Sequence, residues 1–185
     1  MTSTVVALVL AVAFSAPQGT FTVDPSATVV RFHIRHKLHQ VDGRSTSIEG
    51  RAVVEPDGKV LAMVRIPVAS FDSGDTNRDA HMRETLESGA HPFVVFKGVA
   101  SLVVPAAAGR SPVPLHFKGE LDFHGVKRPV EVPAAVEFRP DGMAAVRGKM
   151  TLSLEAFRIE RPSLLFVKID DACAVEFDLT LRRDR

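Results

Sequence analysis

The sequence is poor in cysteine and lacks tryptophan and tyrosine altogether. Cys173 is the only cysteine among 185 residues, so an internal disulfide and a thiolate zinc cluster are both excluded. Because Cys173 lies in an alternating apolar run, it is predicted to be a small buried hydrophobic side chain. Any aromatic wall must be built from the 12 phenylalanines.

Motifs of several enzyme and binding classes are also missing. The chain contains no Gly-x-Ser-x-Gly turn and no glycine-rich phosphate loop. Lysine and arginine (23) nearly balance aspartate and glutamate (22), and no basic stripe carries interleaved aromatics, so nucleic acid is not an expected partner. Hydrophobic residues make up 45% of the chain and charged residues 24%, which is typical of a folded globular protein.

Residues 1–18 have the pattern of a secretory signal peptide. An uncharged apolar run from Val5 to Phe14 is too short to span a bilayer as a helix, and the small residues Ala13, Ser15 and Ala16 offer a cleavage site. The n-region departs from the usual pattern because it lacks lysine and arginine, and a buried N-terminal segment is the alternative. We expect a periplasmic or secreted protein whose folded domain spans residues 19–185.

Alternation of apolar and polar residues dominates the rest of the chain. In LHFKGELDFHG (115–125), Leu115, Phe117, Leu121 and Phe123 share one face. This period of two predicts antiparallel strands with one buried face, and short turn signals separate the runs. We therefore predict an all-β fold, an eight-stranded antiparallel barrel whose closure removes exposed edges. One non-alternating segment predicts a helix over about 76–88, with Thr76 and Asp79 resembling a capping arrangement.

Several segments together resemble the YceI-like family of lipocalin-like, polyisoprenoid-binding β-barrel proteins. They are FTVDP (21–25), SFDSGDTNRDAHMR (70–83), HPFVVFKG (91–98) and GELDFHGVKRPV (119–130). The resemblance covers about residues 21–181. Two departures stand out: Ser26-Ala27 replaces a frequent His-Ser pair, and Phe157-Arg158 replaces a frequent Phe-Gly pair. The resemblance implies a lipocalin-like barrel that holds an isoprenoid lipid.

The inward positions of the predicted strands are almost all apolar. Small residues among them (Gly50, Ala52, Ala62, Gly119, Ala134 and Gly148) are expected to leave room for a cavity, with a solid packed core as the alternative. Paired carboxylates, which acid–base catalysis would use, are missing from these positions. We therefore expect a non-enzymatic binder of a long apolar isoprenoid lipid, of polyprenyl phosphate or quinone type, with no further cofactor. The predicted cavity residues are Phe32, Ile34, His36, Ile48, Val64, Val94, Phe96, Phe117, Leu121, Val132, Met150 and Phe177.

Polar residues on the predicted helix are candidates for the barrel mouth. Arg78, Asp79, His81 and Arg83 are predicted to meet a ligand head group there, and a purely structural tie of the helix to the barrel rim is the alternative, favoured for Asp79. Transient membrane contact and a homodimer are left open as further partners. Two other functions also stay open: a histidine-based metal- or haem-binding protein, and a lipid-acting enzyme with its site at the mouth.

Three histidines in RFHIRHKLHQ (31–40) suggest a metal site at first sight. In a helix, residues three apart would share a face, but the flanking alternation predicts a strand, in which they point to opposite faces. A three-histidine site is therefore disfavoured. His36 is predicted to point inward and His33 outward, and burial would favour the neutral form of His36.

Overall fold

Period-two runs of apolar residues form antiparallel strands along most of the chain. The computed structural model describes residues 17–35, 40–103, 112–161, 163–164 and 167–184. In these ranges there are twelve strands and one α-helix, α1 (Thr76–Thr85). The strands are β1 (Gly19–Val23), β2 (Val29–Arg35), β3 (Gln40–Ser45), β4 (Glu49–Val54), β5 (Lys59–Pro67), β6 (Phe93–Ser101), β7 (Val113–Phe123), β8 (Val126–Phe138), β9 (Met143–Ser153), β10 (Ser163–Leu164), β11 (Val167–Lys168) and β12 (Ala172–Arg183).

The main sheet closes into an eight-stranded antiparallel barrel, as predicted. Its order is β1-β4-β5-β6-β7-β8-β9-β12, and β12 returns to pair with β1. β2 and β3 extend the same wall. A 3-10 turn at Pro25–Ala27 divides one long strand into β1 and β2. Residues 46–48 divide the strand that pairs with it into β3 and β4. The short pair β10–β11 lies outside this sheet.

The two ends of the barrel differ in how they are filled. At the end where β8 turns into β9, Phe21 packs against Phe138 with ring centroids 6.2 Å apart, inside a large buried cluster that includes Val113 and Leu181. At the other end, α1 and the chain after β9 cover the barrel, and their apolar side chains form a second cluster. The first end is closed by packing, so the second end is the one that can admit a ligand.

Helix α1 is shorter than the sequence predicted, and its cap is a different residue. It ends at Thr85 rather than 88, and a turn with a positive φ of 46° at Glu87 follows it. Asp75 is the N-cap and accepts hydrogen bonds from the backbone N–H groups of Asn77 and Arg78. These bonds stabilise the ionised carboxylate and lower the pKa of Asp75. In the described residues, no helix is long and apolar enough to cross a bilayer.

Candidate functional site: an apolar cavity with a polar mouth

The barrel encloses a cavity of about 880 Å³. This volume lies toward the upper end of the range for small-molecule sites. Ten of the twelve predicted cavity residues line it: Phe32, Ile34, Val64, Val94, Phe96, Phe117, Leu121, Val132, Met150 and Phe177. They come from seven strands of the main sheet, and alternation along each strand turns their side chains inward. The cavity wall is therefore apolar along most of its length.

Two predicted cavity residues stand apart from this group. Ile48 is only 1% exposed and packs within the first buried cluster rather than on the cavity surface. It lies in the short link between β3 and β4, where strand alternation does not apply. His36 lies outside the described residues, as does His39.

The small inward residues act in two different ways. Ala52 and Ala62 line the cavity, as expected. The glycines do not enlarge it: a Cβ added at Gly148 would lie 2.3 Å from the Phe177 ring, and one at Gly119 would lie 2.2 Å from the Lys97 carbonyl oxygen. The expectation that these glycines leave empty space was wrong, because a phenylalanine ring or a neighbouring backbone occupies that space.

One face of α1 forms part of the cavity wall at the open end. Arg78, His81, Met82 and Thr85 all line the cavity. Their spacing of three and four residues places them on the same side of the helix. Four further polar residues at the mouth were not singled out from the sequence: Ser73, Asp75, Asn77 and Glu160.

Arg78 and Asp79 both bind the loop that precedes the helix. The Arg78 guanidinium donates to the Ser73 hydroxyl and carbonyl oxygens at 2.8 and 2.6 Å. The buried Asp79 carboxylate accepts from the backbone N–H and the hydroxyl of Ser73 at 2.9 and 2.5 Å. Arg78 still borders the cavity, whereas Asp79 does not. The geometry therefore makes Asp79 a tie between helix and rim.

His81 and Arg83 have different positions on α1. The His81 side chain is 82% exposed, and its Nδ1 lies 3.5 Å from Glu84 Oε2. Arg83 borders a shallow depression on the outside of the helix, together with Glu87 and Ala90. Arg83 is therefore not brought together with the other predicted mouth residues.

Two histidines on strands form hydrogen bonds with carboxylates on the outer surface. His33 Nδ1 lies 2.8 Å from Asp42 Oδ1, and its hydrogen bond is the main cause of the lowered pKa of Asp42. His116 Nε2 lies 2.9 Å from Glu131 Oε2 and likewise is the first cause of the lowered pKa of Glu131. His33 therefore points outward, as predicted, and lies away from the cavity wall.

His124 and Gly125 form the tight turn between β7 and β8, as predicted. Both have positive φ, 54° and 69°, which suits a two-residue hairpin turn. His124 Nδ1 donates to the Phe157 carbonyl oxygen at 3.1 Å, and its ring packs edge-on against His91. Within the described residues, no group of three or more His, Cys, Asp or Glu side chains is arranged to hold a metal ion.

Cys173 lines the cavity near its open end and is buried. Burial raises the pKa of its thiol to about 11, because the charged thiolate is disfavoured away from water. The thiol is therefore protonated at neutral pH and behaves as an apolar wall group, in agreement with the sequence prediction of a buried position.

The chain is similar to a known domain family and to several solved structures. The YceI-like domain matches residues 21–181. BcnA from Burkholderia cenocepacia is 21% identical with a TM-score of 0.70, and the match covers 85% of this chain and 98% of that one. A polyisoprenoid binding domain from Saccharophagus degradans, implicated in plant cell wall breakdown, is 16% identical with a TM-score of 0.70, over 91% and 100% of the two chains.

A third structure, the Campylobacter jejuni YCEI protein, is 14% identical with a TM-score of 0.63, over 82% of this chain and 89% of that one. No curated protein matched the sequence. The structural neighbours have the same fold, and the domain match covers most of the chain. The protein belongs to the YceI-like domain family.

Proposed function

We propose that the protein binds and carries a long apolar isoprenoid lipid, of polyprenyl phosphate or quinone type, without catalysing a reaction on it. The observation that carries this proposal is the 880 Å³ cavity, whose wall is apolar and whose polar residues are concentrated at one end. Such a cavity suits a ligand with a long hydrocarbon chain and a single polar head. The polyisoprenoid binding domain of S. degradans, which has the same fold, supports this ligand class.

The binding energy would come mainly from removing the hydrocarbon chain from water. Burial of apolar groups contributes about 0.8 kcal/mol per CH₂, or roughly 4 kcal/mol for each isoprene unit before the costs of association. A chain of a few units therefore reaches useful affinity without a charged anchor. Affinity should rise with each added isoprene unit until the cavity is full and then level off.

The head group would lie at the mouth beside α1. Arg78 borders the cavity there, and a guanidinium forms strong, directional hydrogen bonds to phosphate oxygens. Asn77 and His81 border the same opening and offer further donors. A phosphate or a quinone carbonyl could accept from these groups while the chain stays in the apolar part.

The cellular setting that fits this role is the periplasm or the extracellular space. Residues 1–18 would be a signal peptide, and the barrel domain from residue 19 onward would act after export. An isoprenoid lipid has very low solubility in water, so loading and delivery would involve transient contact with a membrane.

Binding titrations on two matched arginine variants test the proposal. Arg78→Ala is expected to weaken binding of a polyprenyl phosphate about tenfold, with little change for the corresponding polyprenol. Arg83→Ala, on the same helix but facing outward, is the control and should bind both ligands normally. Urea unfolding of both variants measures how far the loss of the Arg78–Ser73 hydrogen bonds lowers the free energy of unfolding, so that this effect is kept apart from the change in binding. Failure of the unmodified protein to bind either ligand would refute the proposed function.

A further inference from the structure

The barrel wall is incomplete between β8 and β9. These strands pair only from Ala134–Phe138 to Gly148–Ala144. Val126–Pro133 of β8 pairs with β7, and Lys149–Ser153 of β9 pairs with β12, but the two segments do not pair with each other. We call the space between them the β8–β9 gap, and it lies at the open end of the barrel.

The sequence of β8 explains why the ladder stops there. In a two-residue hairpin the residues that flank the turn form a hydrogen-bonded pair, which here is Phe123 and Val126. Counting from that pair, Pro129 and Pro133 fall at positions whose backbone nitrogen faces β9. Proline has no N–H to donate. Of the four residues of this half of β8 whose backbone faces β9 (127, 129, 131 and 133), two therefore lack a donor.

Residues 154–159, which follow β9, cover the β8–β9 gap, and we call them the plug segment. Leu154, Phe157 and Ile159 are buried and belong to the apolar cluster at the open end. Phe157 packs on Phe123 with ring centroids 5.7 Å apart. The plug segment fills the gap with apolar side chains instead of strand pairing.

Few polar contacts hold the plug segment to β8 and its turn. Arg128 Nε donates to the Ala156 carbonyl oxygen at 3.0 Å, and His124 Nδ1 donates to that of Phe157 at 3.1 Å. Arg158 holds a left-handed conformation with φ of 57°, which costs about 1–2 kcal/mol for a residue with a side chain. The start of the segment is also tied to Asp171, which accepts from the backbone N–H groups of Leu154 and Glu155 at 3.0 and 2.7 Å. The side facing β8 has fewer hydrogen bonds than a paired strand, so the segment can open there while its start stays attached.

The cavity extends to the inner side of this region. Val132 of β8, Met150 and Leu152 of β9, and Leu154 and Ile159 of the plug segment all line it. An apolar chain that passed through the β8–β9 gap would stay in contact with apolar side chains. A chain that passed under α1 would instead have to cross polar groups such as Asp75 and Arg78, which are held by hydrogen bonds to their own loop and helix.

We propose that the hydrocarbon chain of the ligand enters and leaves sideways through the β8–β9 gap when the plug segment swings away. This inference rests on the proposed function, because it assigns a route to a ligand that occupies the cavity. It predicts that the gap controls the rates of binding and release and has little influence on the equilibrium affinity.

Cross-linking the gap shut tests this route. The observed β8–β9 register ends at Ala134 and Gly148, and continued by three residues it would place Glu131 opposite Thr151. Both side chains are exposed, so Glu131→Cys and Thr151→Cys are the positions to join with a bismaleimide. Ala135→Cys with Arg147→Cys lies on the same two strands where they are already paired, and it is the matched control. The buried native thiol of Cys173, with its pKa raised to about 11, does not compete for the reagent at neutral pH.

The rates are measured by stopped-flow mixing with geranylgeraniol that carries a dansyl group. A cross-link at the gap should slow both association and release at least about tenfold while Kd stays within about threefold, and the control cross-link should change neither. Unchanged rates with the gap cross-linked would overturn the route while leaving the proposed function intact. If the unmodified protein does not bind the probe, the proposed function itself fails, and the route fails with it.

A second pair of variants tests the route in the opposite direction. Phe157→Ala loosens the plug segment without removing a residue that lines the cavity, and should raise both rates with little change in Kd. Phe138→Ala removes the same ring at the closed end and should leave the rates unchanged. Equal acceleration in both variants would mean that general loss of stability is the cause, which contradicts the route.

Discussion

Ala62→Leu and Ala100→Leu make the same chemical change on the two kinds of surface inside the barrel. Ala62 lines the cavity and is paired with Ala52, a small residue that also lines it. Ala100 is 4% exposed and lies in the packed cluster at the closed end. A leucine at 62 should extend into empty space, whereas a leucine at 100 has no space to enter.

The two variants should therefore change stability in opposite directions. Three added carbons at about 0.8 kcal/mol each, less the side-chain entropy of leucine, give a gain of about 1–2 kcal/mol for the ligand-free Ala62→Leu protein. Overpacking at Ala100→Leu should cost about 1–3 kcal/mol. Because the chain has no tryptophan, urea unfolding is followed by far-ultraviolet circular dichroism.

Ligand binding gives the second half of this prediction. The leucine at 62 takes up room that the hydrocarbon chain would use, so affinity should fall by about 2 kcal/mol, or roughly thirtyfold. Ala100→Leu should bind the ligand with unchanged affinity under conditions in which the variant is folded. If Ala62→Leu destabilises the protein as Ala100→Leu does, the cavity is not empty in the ligand-free chain. If Ala62→Leu is stabilised and its affinity is unchanged, the ligand lies elsewhere.

Three further predictions concern the rim, the plug segment and the buried thiol. Asp79→Ala leaves the two donors of Ser73 without their acceptor and should lower the free energy of unfolding by about 3 kcal/mol. The control is the exposed His81→Ala, which should lower it by less than about 0.5 kcal/mol. Both values are measured by urea titration. Arg158→Gly should stabilise the fold by about 1 kcal/mol, since glycine accepts the left-handed backbone; a loss of melting temperature would contradict this. The thiol of Cys173 has its ordinary pKa of 9.0 in the unfolded chain and a pKa of about 11 in the fold. Its contribution to the free energy of unfolding is therefore fully present below pH 9 and falls by about 2–3 kcal/mol as the pH rises to 11. Cys173→Ala should not show this decrease of stability with pH.

Strand alternation predicted the cavity wall well, because it is a local property of the backbone. Residues such as Phe117, Leu121 and Val132 lie within long strands and point inward as the pattern requires. Ile48 was assigned to the cavity from the same alternation, but it lies in the link between β3 and β4 and packs in the core instead. Which side chains fill the interior and which leave it open depends on tertiary contacts, such as the Phe177 ring over Gly148, and these have no local signature.

The mouth was only partly predictable. The helical period could have separated Arg78, which shares a face with Met82, from Arg83 on another face, so this distinction was available in the sequence. The tie between Asp79 and Ser73 depends on how the loop folds back, which no spacing encodes. Pro129 and Pro133 of β8 are the residues in the sequence that indicate the β8–β9 gap. They indicate it only when the β7–β8 pairing is known, because that pairing decides that their nitrogens face β9.

We propose that the apolar cavity of this barrel holds an isoprenoid lipid. Organic extraction of gently purified protein, followed by mass spectrometry with quantification per chain, tests it most directly. We expect close to one isoprenoid molecule for each chain, and a clear loss of that lipid in Ala62→Leu. Protein that is folded and lipid-free, or that instead carries a stoichiometric metal ion, would contradict it.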